Sequence, residues 1–190
     1  MPLLTERRVI AKSQQVTGPL RKSAARVLAE SATTRADAFD IFLSHSAEDA
    51  PVVLGTRAEL ETKGYTVYVD WVDDPQLSRS DVTLETARAL RRRMRQCKAL
   101  FYLRSLSSAT SKWMPWELGF FDGLNGRVAI LPISKTERWT YTGVEYLGIY
   151  PYVDVCNDNR GTERFWINRA ADRYAALDAW IDDPSSIRLH

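Results

Sequence analysis

From Phe39 onward the chain alternates short apolar runs with longer segments whose apolar positions recur every three or four residues. Phe39–Ser44 combines aromatic, β-branched and aliphatic residues and predicts a short buried strand. Asp49 and Pro51 open a helix that runs to Lys63 and stops at Gly64, which suits the left-handed position beyond a helix end. Tyr65–Asp70 is the second predicted strand, and Trp71–Ser80, with two acids, a proline and few helix formers, a loop. A helix follows from about Ser80 to Gln96, with an apolar stripe at Leu84, Ala87, Leu90, Met94 and Cys97. That stripe leaves the basic run Arg91–Arg95 as a solvated face. Lys98–Leu103 reads as a third strand, Met114–Leu124 as a helix, Val128–Pro132 as a fourth strand and Tyr150–Val155 as a fifth. Glu163–Trp180 reads as a terminal helix.

Strict alternation of strands and helices, with two strands nearly continuous in apolar residues, predicts an α/β fold: a parallel sheet with helices on both faces. Right-handed crossovers leave few topologies, and a five-stranded sheet in the order 2-1-3-4-5 is the expectation. Its switch point lies between the first and third strands, beyond their carboxyl ends. The loops lining that crevice are Ser44–Asp49 and Arg104–Trp113. Ahead of this body, residues 1–38 hold Pro2, a Thr17-Gly18-Pro19 break and helix formers over Arg21–Ala29. A partly helical arm packed on the body or on a neighbouring subunit is expected there, with the body at 39–160 and a C-terminal helix within 161–190.

Composition sharpens this little until charge is divided. The 190 residues are 45% hydrophobic and 26% charged, which excludes a disordered or collagenous chain. The net charge of +2 hides a basic arm, seven Lys/Arg against three Asp/Glu, and a slightly acidic body. Such a body offers no broad electrostatic footprint for nucleic acid. Cys97 and Cys156 cannot make a disulfide framework, and neither has a metal-ligand spacing partner. With no stretch of membrane-helix length, the expectation is a cytoplasmic protein without membrane contact or bound metal.

The first crevice loop carries Ser44, His45, Ser46 and Asp49, a reasonable cradle for ribose or phosphate, although Ser and Asp before a helix are ordinarily caps. The second leads into Ser111–Gly119, where Pro115 suits the first helical position and places Glu117 at N3. The plain role for such a Glu is a capping acid. Trp113, four residues earlier, brings an aromatic wall to the same side, which fits a flat cationic heterocycle.

Phe39–Ser46, the strand end Tyr68–Trp71 and above all Ser111–Gly119 resemble bacterial Toll/interleukin-1 receptor (TIR) domains, over about residues 38–155. Asp70–Thr83 with Leu90–Met94 is similar to the small stand-alone TIR proteins of antiphage defence, of the Thoeris type. The resemblance implies a TIR (flavodoxin-like) fold and an NAD-cleaving enzyme of glycohydrolase or ADP-ribosyl cyclase type, with NAD as substrate and no separate cofactor. The family's glutamate in the pattern Ser-x-Trp-x-x-x-Glu falls on Glu117, and its tryptophan on Trp113. By the same resemblance, Trp113 packs against ribose or nicotinamide, and Ser44, His45 and Ser46 contact ribose or phosphate. Trp71 and Asp73, in the BB loop, close over the site. Self-association through surfaces that include the 71–80 loop, a phage-derived trigger and a separate nucleotide-sensing effector are implied as well.

Nicotinamide leaves NAD as a neutral molecule, so no general acid is needed and a single carboxylate suffices. Three other readings compete. A non-catalytic TIR adaptor is disfavoured by the full glutamate motif. A nucleoside deoxyribosyltransferase-like glycosidase fits only loosely at Glu117-Leu118-Gly119 and Gly126-Arg127-Val128. A receiver domain needs an Asp at the end of the third strand, where Leu103-Arg104 stands.

Overall fold

The computed structural model describes residues 2–30, 38–69 and 83–189. In chain order these form β1 (Leu4–Thr5), α1 (Glu6–Leu20), α2 (Ala24–Glu30), β2 (Phe39–Ser44), α3 (Ala50–Thr62) and β3 (Val67–Tyr68). Then come α4 (Leu84–Arg95), β4 (Cys97–Arg104), α5 (Trp113–Asn125), β5 (Val128–Ser134) and β6 (Tyr152–Asn157). The chain closes with β7 (Glu163–Ala170), β8 (Arg173–Ala176), α6 (Leu177–Asp182) and β9 (Arg188–Leu189).

The parallel part of the sheet runs β3-β2-β4-β5-β6, which is the expected order 2-1-3-4-5. Side-chain alternation divides the core into two. One face carries Ile41, Leu43, Phe101, Leu103, Ala129 and Leu131, and its core includes residues of α1, α2, α3 and α6. The other carries Phe42, Leu100, Tyr102, Val128 and Ile130 against Leu90 and Met94 of α4 and Met114, Leu118 and Phe121 of α5. Gly64 adopts φ +91° just past α3, as its position predicts, and Gly126 closes α5 at φ +68°.

The C-terminal region corrects the sequence expectation. Glu163–Ala176 is not helical: β7 pairs antiparallel with β6, β8 with β7 and β9 with β8, so the sheet grows beyond its parallel part. Only Leu177–Asp182 is helix. The Ala and Arg content favours helix locally, but Phe165 and Ile167 bury themselves two residues apart beside Val155 and Val153. Pairing with an available edge outweighs propensity there.

The arm is part of the fold rather than a solvated appendage. Leu4 and Thr5 pair parallel with Ile133 and Ser134, and the Val155 N–H donates to the Pro2 carbonyl at 3.0 Å. Since β5 and β6 meet in register only at Ile130 and Tyr152, residues 2–5 fill the gap where those strands diverge. Helix α1 runs through the expected Thr17-Gly18-Pro19 break and ends at Arg21, which takes φ +49° and returns its N–H to Gly18. Against α3 it packs so closely that a Cβ on Gly55 would lie 1.7 Å from the Val9 carbonyl oxygen. Arg8 forks onto Glu59 at 3.0 Å and Glu163 at 2.8 Å. Arg8 of the basic arm is thus directed at acids of the body, while Lys22 and Arg26 pair with Glu30 within the arm.

Candidate active site

Strand β2 ends at Ser44, at the carboxyl edge where the sheet order reverses. Its hydroxyl donates to Glu117 Oε2 at 2.6 Å, and both residues are fully buried, at 0% exposure. Helix α5 begins at Trp113, with the Met114 N–H donating to Ser111 Oγ at 3.3 Å. Glu117 therefore stands in the second turn, not at N3, and the capping role falls to Ser111. The carboxylate faces the sheet, which turns a residue readable as a cap into the acid of a closed crevice.

Trp113 is half-buried on the same helix and meets Trp116 edge-on, with centroids 5.4 Å apart. Trp116 stacks on Phe120, and the Arg91 guanidinium lies over both rings, 5.5 and 5.8 Å from their centroids. Arg95 also covers Phe120, and Arg93 lies over Tyr68. The basic run of α4, expected as a plain solvated face, thus roofs aromatic rings.

His45 is fully buried with Nδ1 2.9 Å from the Leu43 carbonyl. A carbonyl only accepts, so Nδ1 carries the proton in that contact. Ser46 caps the short turn Ala47–Asp49 by accepting from the Glu48 N–H at 3.5 Å, the ordinary role of Ser before a helix. The structure thus brings Ser44 directly to Glu117, sets His45 and Ser46 beside them in sequence, and places Trp113 one helical turn away. Trp71 and Asp73 lie outside the described residues.

Sequence reasoning placed Asp49 and Arg104 in the crevice loops but not their contacts, and it missed Tyr102. Asp49 accepts hydrogen bonds from the hydroxyls of Ser105 and Ser107, tying the first crevice loop to the second. Tyr102 is the register partner of Ser44 on β4, so the two side chains share a face. Burial pushes its phenol up to about 12, with the charges of Tyr146 and Glu117 acting in the same direction and Arg104 against them. Burial likewise raises the phenol of Tyr141, and Arg104 opposes it. The signal for Tyr102 and Arg104 was the alternation Leu100, Tyr102, Arg104 along β4, on the face that Phe42 and Ser44 share.

Among the described residues no group of three or more His, Cys, Asp or Glu is arranged to hold a metal, and no helix is long and apolar enough to cross a membrane. A surface hollow of about 310 Å³ lies elsewhere, between Asn157–Arg160, Arg164, Trp166 and Tyr174. Its Arg164 is committed to Asp158 and Asp178, and none of its lining residues belongs to the β2–β4 crevice.

A parallel sheet with this strand order and a buried serine–glutamate pair at the switch point define the class. The chain matches the TIR domain family over residues 41–166 and belongs to it. It is 48% identical, over 147 residues and 75% of each chain, to a Bacillus cereus (strain MSX-D12) protein named probable 3' cyclic ADP-D-ribose synthase ThsB'. It is also 26% identical over 97 residues to TIR2 of Cytobacillus dafuensis, provisionally named a cyclic ADP-D-ribose synthase. That second similarity spans 50% of this chain and 26% of the relative.

Proposed function

We propose that this TIR protein cleaves the nicotinamide–ribose bond of NAD and converts the remainder into a cyclic ADP-ribose-type nucleotide. The observation that carries the proposal is the buried Ser44–Glu117 pair at the switch point of a chain 48% identical to a named cyclic ADP-D-ribose synthase. Glu117 is the catalytic residue: it binds the nicotinamide ribose hydroxyls and stabilises the positive charge that develops at the anomeric carbon. Ser44 fixes the carboxylate through one of its oxygens, so the charge is aimed before substrate arrives. Trp113 packs against the nicotinamide ribose, and Ser44, His45 and Ser46 form the ribose and phosphate side of the pocket. Trp71 and Asp73 close over the bound dinucleotide.

In the chemical step the C–N bond to the pyridinium nitrogen breaks and its electron pair stays with nicotinamide, which leaves neutral. A hydroxyl or ring nitrogen of the remaining ADP-ribosyl group then attacks the anomeric carbon, giving a cyclic ADP-ribose, whereas attack by water gives ADP-ribose; one proton is released to solvent in either case. The product acts as a signal for a separate nucleotide-sensing effector in a Thoeris-type antiphage response in the cytoplasm. Self-association through the 71–80 loop accompanies activity, under a phage-derived trigger.

The test is nicotinamide release from NAD by the purified protein, with Glu117→Ala as control. Release by the native chain and its loss in the variant support the proposal. Equal release by both removes Glu117 from the chemistry.

A further inference from the structure

Resting on the NAD-cleaving reading above, we infer that Arg104 is the cation that grips the diphosphate of the dinucleotide. It is the last residue of β4, and its side chain shares a face with Tyr102, two residues earlier. Tyr102 is level with Ser44, whose hydroxyl holds Glu117. One step of two residues along a strand is about 7 Å, so Arg104 stands roughly that far beyond the Ser44–Glu117 bond toward the carboxyl edge. In NAD a single ribose separates the scissile bond from the nearer phosphate. The spacing along β4 matches that separation.

The guanidinium is oriented but not neutralised. Arg104 Nη1 donates to the Ser105 carbonyl at 2.6 Å and to Ser108 Oγ at 2.9 Å. Arg8, Arg26, Arg57 and Arg164 each pair with a carboxylate, whereas among the described residues Arg104 has no ion pair. The crevice otherwise carries the acids Glu117 and Asp49, which repel a diphosphate. A planar guanidinium with further N–H groups is the side chain that offsets this, through two parallel bonds to phosphate oxygens. The half-buried position strengthens such a bond relative to water.

The test compares Arg104→Ala, Arg104→Lys and Ser108→Ala for NAD turnover and for ADP-ribose binding by calorimetry. A lost charge-assisted contact made equally in ground and transition states raises KM for NAD by about 10–100-fold and changes kcat by less than about 3-fold. ADP-ribose, which keeps the diphosphate, binds more weakly by the same factor. Arg104→Lys recovers part of the loss, because a point charge remains without the fork. Ser108→Ala, which removes the hydroxyl's bonds to Arg104 and to the Ser105 carbonyl but leaves the guanidinium in place, changes KM by less than about 3-fold.

The inference is overturned if kcat falls while KM and ADP-ribose affinity stay unchanged. It is equally overturned if Ser108→Ala reproduces the Arg104→Ala defect, since Arg104 then only holds the loop. Should Arg104→Ala fail to fold, Arg104→Lys and Ser108→Ala decide by the same measures. A native chain that releases no nicotinamide removes the NAD reading and the Arg104 assignment with it. An active native chain with undiminished ADP-ribose binding in the Arg104 variants removes the assignment alone.

Discussion

Ser44, at the end of β2, donates a 2.6 Å hydrogen bond to the carboxylate of Glu117 on α5, across 73 residues of chain and away from solvent. A buried carboxylate that loses such a donor keeps its desolvation cost and becomes free to turn. Ser44→Ala is therefore expected to reduce kcat/KM for NAD by about 10–100-fold, while the melting temperature falls only modestly. Steady-state kinetics beside a thermal melt check this. Unchanged kinetics would show that Glu117 needs no orientation from β2.

Asp49 acts one step further out. Its carboxylate joins the hydroxyls of Ser105 and Ser107, so the loop after β2 holds the loop that leads to Trp113. Asp49→Ala strands both hydroxyls and is expected to reduce kcat/KM by roughly 3–10-fold, through a partly exposed contact. The double variants with Ser105→Ala and Ser107→Ala should lose little more, since they remove the same contacts. Additive losses in that cycle would sink the latch.

Gly55 sets the approach of α1 to α3. A methyl group there collides with the Val9 backbone, which has no flexible side chain to yield. Gly55→Ala is expected to destabilise the protein by about 1–3 kcal/mol by overpacking. Denaturant unfolding measures it, and kcat per folded molecule should hold, because the clash lies on the sheet face opposite Glu117.

The arm also gives the protein an acid sensitivity. Arg8, with Lys63, lowers the Glu163 carboxyl from 4.5 to about 2. A carboxyl depressed on folding adds stability that is complete above its unfolded value of about 4.5 and is lost as pH falls through its folded value. Glu163→Gln is accordingly expected to flatten the stability–pH curve between about 4.5 and about 2. Because Glu163 is 34% exposed, solvent screening keeps the contribution small. Thermal melts of both proteins across that window test it, and parallel curves would contradict the Arg8 clamp.

The parallel sheet was legible because its strands are apolar runs bounded by helix signals, and Phe39–Ser44 was bounded to the residue. Glu163–Ala176 was not, because its helix-favouring residues are overruled by an edge that only the folded β6 provides. At the site, Glu117 and Ser44 could be singled out from loop position and motif. Their bond could not, because nothing local links residues 73 positions apart. Tyr102 was hidden for another reason: a strand reads as core, and only register with β2 shows that its last residues reach the crevice, where Arg104 could be placed from loop position alone. The arm's role was half visible. Its charge was plain, while its insertion between β5 and β6 depends on where those strands part.

The most direct measurement is mass spectrometry of the nucleotide formed when the native chain and Glu117→Gln are each incubated with NAD over a series of protein concentrations. The native chain is expected to release nicotinamide and to form a product with the mass of ADP-ribose less one water, rising steeply with concentration, and the variant to form none. Intact NAD at every concentration, or the same product from the Glu117→Gln protein, would contradict the account.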